Sequence, residues 1–319
     1  MSVSLTAHLV ERLTPKRARA AVELGHEFAQ HPQCRDPRLA HAWACAEEVQ
    51  IAIGLSGTTR TMLTKPSANH KLNLAVRLSW GLTLYHHLLR TTAVVNGKRL
   101  IVNSCPFAGD CTRMCVINNN RGRMDNVKQG WRWRTEMLAR FPEEFLLLLS
   151  WSIARVVRTH GPILFRPNVN SDLEWEVFAE ALVDGSVFGD DVMFYGYTKV
   201  PIFKNAGWIT PVYRVAYSAN ETHPIDSPFV RGFLDNGGNV AVVTNRTYNS
   251  WTKQPIEQWH DTYTVVNGDK SDEWILDYDG VIGDLAFKPD NLEILAFGQT
   301  SDFVHKAYSK ELACVTSES

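Results

Sequence analysis

The stretch IVNSCPFAGDCTRMCVINNNRGR, residues 101–123, sets Cys105, Cys111 and Cys115 at a C-x5-C-x3-C spacing. Three thiolates so spaced can face one point if the loop folds back on itself. Three ligands are one short of a closed tetrahedral zinc site and suit a centre with an open position. That position could take a nearby His, or it could be the unique iron of a [4Fe–4S] cluster, open to substrate or cofactor. Pro106, Ala108 and Gly109 fit a tight loop around a bulky group, and backbone N–H groups of the following NNNRGR could donate to its sulfurs. Arg121 and Arg123 are placed to meet an anionic ligand. A [4Fe–4S] cluster is the expected group and zinc is the alternative. The N-terminus lacks the apolar core of a signal peptide, so a reducing, cytoplasmic setting is expected and disulfides are not. Cys34, Cys45 and Cys314 are scattered and read as buried small apolar side chains.

Elements must hold that loop. Residues 1–95 read as an N-terminal helical region, with LAHAWACAEEVQIAIGL and the run from Leu74 to Leu89 near helical period. From residue 98 short β-branched runs recur, at 99–104, 162–168, 191–199, 212–220, 239–246, 262–269 and 280–288, each reading as a buried strand. Between them lie helical segments. Residues 142–161 start at a first-turn proline, Pro142, and end at Gly161. Residues 172–185 and 226–238 each begin at an Asp N-cap. Strands alternating with helices predict a parallel (β/α) barrel or partial barrel over residues 98–305, with a C-terminal tail at 306–319.

Ligands bind at the carboxyl ends of such strands, and those ends are polar here. Arg166, Asn168, Asn170 and Asp172 follow the second strand, and Tyr195, Tyr197, Thr198 and Lys199 the third. Ser218 and Asn220 follow the fourth, Asn245 and Arg246 the fifth, and Asp269 and Asp272 the sixth. Asp172, Tyr197 and Lys199 are the expected catalytic groups. Asn168, Ser218, Asn245 and Asp269, with Arg121 and Arg123, are the expected binding groups. The first strand runs into the Cys loop, which puts the metal at the same rim. His86 and His87 read as one packed and one exposed residue of a helix.

The chain has 319 residues, 45% of them hydrophobic, and a formal net charge of -1. No global basic field points to nucleic acid, and no apolar run is long enough to span a membrane. No glycine-rich phosphate loop or serine-hydrolase motif is present. An iron–sulfur enzyme acting on a nucleotide, nucleobase or nucleic acid is the leading expectation. A second is a metal-stabilised, non-catalytic nucleic-acid binder, in which Arg113, Arg121, Arg123, Lys128, Arg132 and Arg134 alternate with Trp131 and Trp133 along a single strand. A third is a nucleobase transferase with Asp172 as nucleophile or base.

CPFAGDCTRMC (105–115), RWRTEMLARFPEEF (132–145), LFRPNVNSD (164–172), VMFYGYTKV (192–200), NVAVVTNR (239–246) and the segment 265–288 together resemble the gene product 88 domain proteins of actinobacterial phages and related elements. The resemblance covers residues 98–305 and implies a phage or mobile-element origin. Similar proteins often carry Tyr after the last Cys, where this chain has Val116. Many carry a His/Ser-Gly-Asp-Phe run where this chain reads Asn168 to Asp172, with the Asp retained. A more distant likeness, of placement only, is to radical S-adenosylmethionine enzymes, whose C-x3-C-x2-C spacing is absent; that likeness implies S-adenosylmethionine as a cofactor at the open iron.

Overall fold

The computed structural model describes residues 2–31, 33–55, 61–95, 97–112, 115, 124–201, 210–220, 222–244, 258–259 and 262–286. In chain order these form β1 (Ser2–Ser4), α1 (Leu5–Arg12), α2 (Pro15–Gln30), α3 (Pro37–Ala52), α4 (His70–Asn73), β2 (Ser79–Gly81), β3 (Leu88–Val95) and β4 (Lys98–Asn103). Then come α5 (Asp125–Arg140), α6 (Pro142–His160), β5 (Ile163–Arg166), α7 (Trp175–Phe178), α8 (Glu180–Val183), β6 (Val192–Thr198) and β7 (Tyr213–Ser218). The last are α9 (Pro228–Asp235), β8 (Val240–Thr244), β9 (Gln258–Trp259), β10 (Tyr263–Asn267), α10 (Trp274–Asp277) and β11 (Ile282–Ala286).

Local chemistry sets the helix starts. Thr14 accepts from the N–H of Arg17 and Asp36 from that of Arg38, each just ahead of a proline that presets the first turn. Helix α6 opens on Pro142 with Glu143 and Glu144 in its first turn and stops at Gly161, whose φ of +80° only glycine adopts without strain. Helices α2 and α6 pack so closely that a Cβ on Gly25 would sit 2.3 Å from the Leu147 carbonyl oxygen. Ser150 donates across the same seam to the Val22 carbonyl at 2.6 Å.

The main sheet runs β2-β5-β6-β7-β8-β11-β10-β9, parallel from β2 to β10 with β9 antiparallel at its end. Among the described residues it is open, with β2 and β9 as edges, so the architecture is a partial barrel. Crossovers from β2 to β8 advance in one direction. Right-handedness therefore lays α6, α7, α8 and α9 over one face. There Phe165, Phe194, Val215 and Val242 join the large core that also holds Leu5, Val22, Val49, Trp133 and Leu148. From β10 to β11 the chain steps backwards, so the same handedness carries α10 over the opposite face. Trp274 and Ile275 pack there on Leu164, Tyr195, Ala216 and Ala241.

Several expectations change. The run from Leu74 to Leu89 is not a helix: it contains β2 and the start of β3, because Ser79 and Gly81 face the sheet interior and Ser79 pairs with the Tyr195 hydroxyl at 2.9 Å. A short apolar run carries both periods equally well. The strand at 98–103 lies outside the parallel sheet. It sits in a three-stranded sheet, antiparallel to β3 and parallel to β1. A boundary at residue 95 would cut that hairpin, and the N-terminal helices share one core with the sheet. Asp172 caps no helix, since α7 starts at Trp175, and Ser227 rather than Asp226 caps α9. The segment 306–319 lies outside the described residues.

Candidate functional site

The Cys loop reaches the strand-end rim from a second sheet. A β-bulge between Arg90 and Val94 frees the Thr92 N–H, and the buried Glu136 takes it at 2.9 Å with both carboxylate oxygens. This ties the β3–β4 hairpin to α5. Beyond β4, Ser104 donates through its N–H to the His87 carbonyl at 3.1 Å and through its hydroxyl to the Tyr85 carbonyl at 2.5 Å. Its carbonyl accepts the Asp172 N–H at 2.8 Å. The Cys105 thiol reaches the Asn170 carbonyl at 3.6 Å. The loop after β4 and the loop after β5 are therefore stitched together, and Cys105 stands at the carboxyl edge of the parallel sheet after all. The placement argument for radical S-adenosylmethionine enzymes loses its first-strand premise.

Two short turns wind the loop, from Ala108 N–H to the Cys105 carbonyl at 3.2 Å and from Cys111 N–H to the Ala108 carbonyl at 2.9 Å. Gly109 takes a φ of +50° between them. Burial pushes the Cys105 thiol up to about 12, with the negative charges of Asp172 and Cys115 adding to it and the His87 N–H opposing. A sulfur so buried ionises only beside a cation, which suits a metal ligand and not a free nucleophile. Cys105, Cys111 and Cys115 are not joined to one another by disulfides.

At the rim, Asp172 is buried. Its carboxylate accepts the Thr198 hydroxyl at 2.7 Å and the Lys199 N–H at 2.9 Å. Burial raises its pKa against those two hydrogen bonds. Lys199 extends its Nζ to the Ser218 hydroxyl at 2.9 Å, joining β6 to β7. Asp172, Lys199 and Ser218 thus form one connected group next to Cys105. Asn168 is a hub of its own loop: its amide donates to the Leu173 carbonyl and accepts from Ser171, Leu173 and the Trp175 indole. Tyr197 donates to Asp272 at 2.7 Å, and Arg166 holds the same carboxylate at 2.8 Å while stacking on the Tyr197 ring. Asp269 is buried just past β10, its N–H turned onto Asn267 at 2.9 Å. Asn245, Arg121 and Arg123 lie outside the described residues.

One feature sharpens a residue already placed at the rim, and two escape sequence reasoning. The Asn170 amide, in the residue whose carbonyl Cys105 reaches, is buried with neither its oxygen nor its nitrogen hydrogen-bonded. Glu176 holds both carboxylate oxygens buried and unpaired, and burial raises it to about 8. His87 takes a φ of +54°, unusual for any side chain but glycine, and turns its backbone N–H onto Cys105. The signal for Glu176 was an acid between Trp175 and Val177. For His87 there was none, since its meaning lies in the backbone.

The aromatic–basic alternation splits on folding. Trp133 is fully buried, with its indole on the Ala46 carbonyl at 3.1 Å. Arg134 is buried on the Thr83 and Thr61 carbonyls. Neither is free to stack on a base.

No helix among the described residues is long and apolar enough to cross a membrane. The family model described as Gene product 88 matches residues 55–310. No curated protein and no solved structure matches the chain.

Proposed function

The chain belongs to the gene product 88 family, and from that premise we propose that it is an iron–sulfur enzyme whose three-cysteine loop works over the strand-end rim. Cys105, Cys111 and Cys115 would hold a [4Fe–4S] cluster, which when bound supplies electron transfer or a Lewis-acidic open iron. The observation that carries the reading is the junction of Cys105 with the loop after β5. A buried thiol there meets a residue whose amide is buried without a partner. Such an amide supports a donor to cluster sulfur.

Around it, Asp172 is the group to give or take a proton, because burial has already raised its pKa towards the working range. Lys199 presents a cation that suits an anionic substrate group, and Ser218 fixes its direction. Tyr197 spends its hydroxyl on Asp272 and positions the rim. The phage origin that the resemblance implies supports a nucleotide, nucleobase or nucleic acid as substrate.

Anaerobic purification tests the reading directly. Iron and acid-labile sulfide near four of each per chain, with a visible charge-transfer band lost in Cys105→Ser, are expected. A colourless protein that holds only zinc at this loop after reconstitution would overturn it. Zinc is the group of the non-catalytic reading, and the burial of Trp133 and Arg134 removes much of that reading's support.

A further inference from the structure

We propose that His41, Cys45 and Glu144 form a second metal site, for a divalent transition ion of the zinc type, in the helical layer. His41 and Cys45 stand four residues apart on α3 and so share a face. Glu144 comes from the first turn of α6. His41 Nε2 lies 3.6 Å from Cys45 Sγ and 3.6 Å from Glu144 Oε1, and all three donor atoms lie within 4.8 Å of one another. A tetrahedral ion bonded to sulfur at about 2.3 Å and to nitrogen at about 2.05 Å holds those two atoms roughly 3.6 Å apart. The nitrogen–oxygen separation comes out at roughly 3.3 Å by the same geometry. The side chains thus stand close to ligand spacing without an ion.

Packing sets this spacing. Ala42 and Ala46 are fully buried on α3 and let the neighbouring helices approach. Trp43 meets Trp151 of α6 edge to face at 5.7 Å, and the Trp133 indole of α5 donates to the Ala46 carbonyl. Thiolate, imidazole and carboxylate together favour zinc over magnesium or calcium, which prefer all-oxygen shells. Three protein ligands leave one tetrahedral position, and the His41 side chain, 67% exposed, puts that position near solvent. Glu48, held by Arg140, adds a second negative charge near Cys45. On binding, the Cys45 proton leaves to solvent, the three donors share lone pairs with the ion, and no electron changes hands. His41 and Cys45 precede the residues matched by the family model, and Glu144 lies within them, so the site bridges α3 and α6.

The test is cobalt(II) titration of the chelator-stripped full chain. One equivalent should give the visible bands of tetrahedral cobalt and a near-ultraviolet thiolate–cobalt band, both bleached by zinc. Cys45→Ser and His41→Ala should each weaken binding by roughly 100-fold, and Glu144→Gln by roughly tenfold. His41 is exposed, so its variant keeps the fold, with circular dichroism as the check. A variant with Cys105, Cys111 and Cys115 all changed to Ser should keep the signal, which separates this site from the cluster loop. Absence of the bands in that triple variant, or their survival there once Cys45→Ser is added, would overturn the proposal.

Discussion

Glu176 keeps both carboxylate oxygens from water with no hydrogen bond to either, and burial raises it from the ordinary 4.5 to about 8. Below pH 4.5 it is neutral folded and unfolded alike. Between 4.5 and 8 the unfolded chain ionises while the folded chain does not, so stability falls as pH rises through that window. Glu176→Gln removes the difference. Relative to the parent, the variant should gain stability from pH 5 to pH 8, by up to a few kcal/mol. Urea unfolding at the two pH values reads this directly, and an equal offset at both would refute it. Asp172→Asn keeps the Thr198 hydrogen bond but cannot carry the proton. Once a substrate is in hand, turnover should drop by at least about 100-fold at unchanged iron content. Residue type and spacing alone single out the cysteines and Asp172 in the sequence. They pass over Glu176 and place Asn170 at the rim without its buried amide, since an acid or an amide acquires meaning only from the donors it lacks.

At the scale of elements, the decisive contact is Asp272, held by Arg166 at 2.8 Å and by Tyr197 at 2.7 Å. It fastens the segment after β10 onto β5 and β6, with Glu273 alongside on Arg77 at 2.8 Å. Arg166 is mostly buried. Asp272→Ala therefore strands a charge and should cost about 3–5 kcal/mol. Adding Arg166→Met should recover part of that loss, and additive losses in the double-mutant cycle would show that the two do not act as a pair. The bulge anchor is smaller: Glu136→Ala leaves the Thr92 N–H without its acceptor and should cost about 1–3 kcal/mol by thermal unfolding. The strands after residue 160 were readable because each is a compact β-branched run. The segment 74–95 was not, because strands this short carry too few residues to show a period of two, and hairpin pairing overrode the helical spacing. For the same reason the sheet that bears the Cys loop was misassigned: pairing partners are not written in a strand's own composition.

At the scale of the molecule, the parallel sheet was legible from the alternation of strands and helices, whereas its closure was not, because an open and a closed sheet are built from the same repeating unit. One large core joins helices from residue 5 onwards to strands as late as residue 282. The helical layer is thus a wall of the same domain. Deleting residues 1–52 should abolish cooperative unfolding, and a truncated chain that still melts sharply would contradict this. The position of β11 between β8 and β10 has a further consequence, in time instead of space. As the chain leaves the ribosome, β8 forms with a bare edge whose true neighbour has not been made. β10 emerges before it and is the wrong strand for that slot. The sheet can close only when residues 282–286 thread between two strands already present, a long-range pairing of the slow kind. Until then the open edge invites another nascent chain, so the folding chain stays exposed to mispairing until β11 arrives.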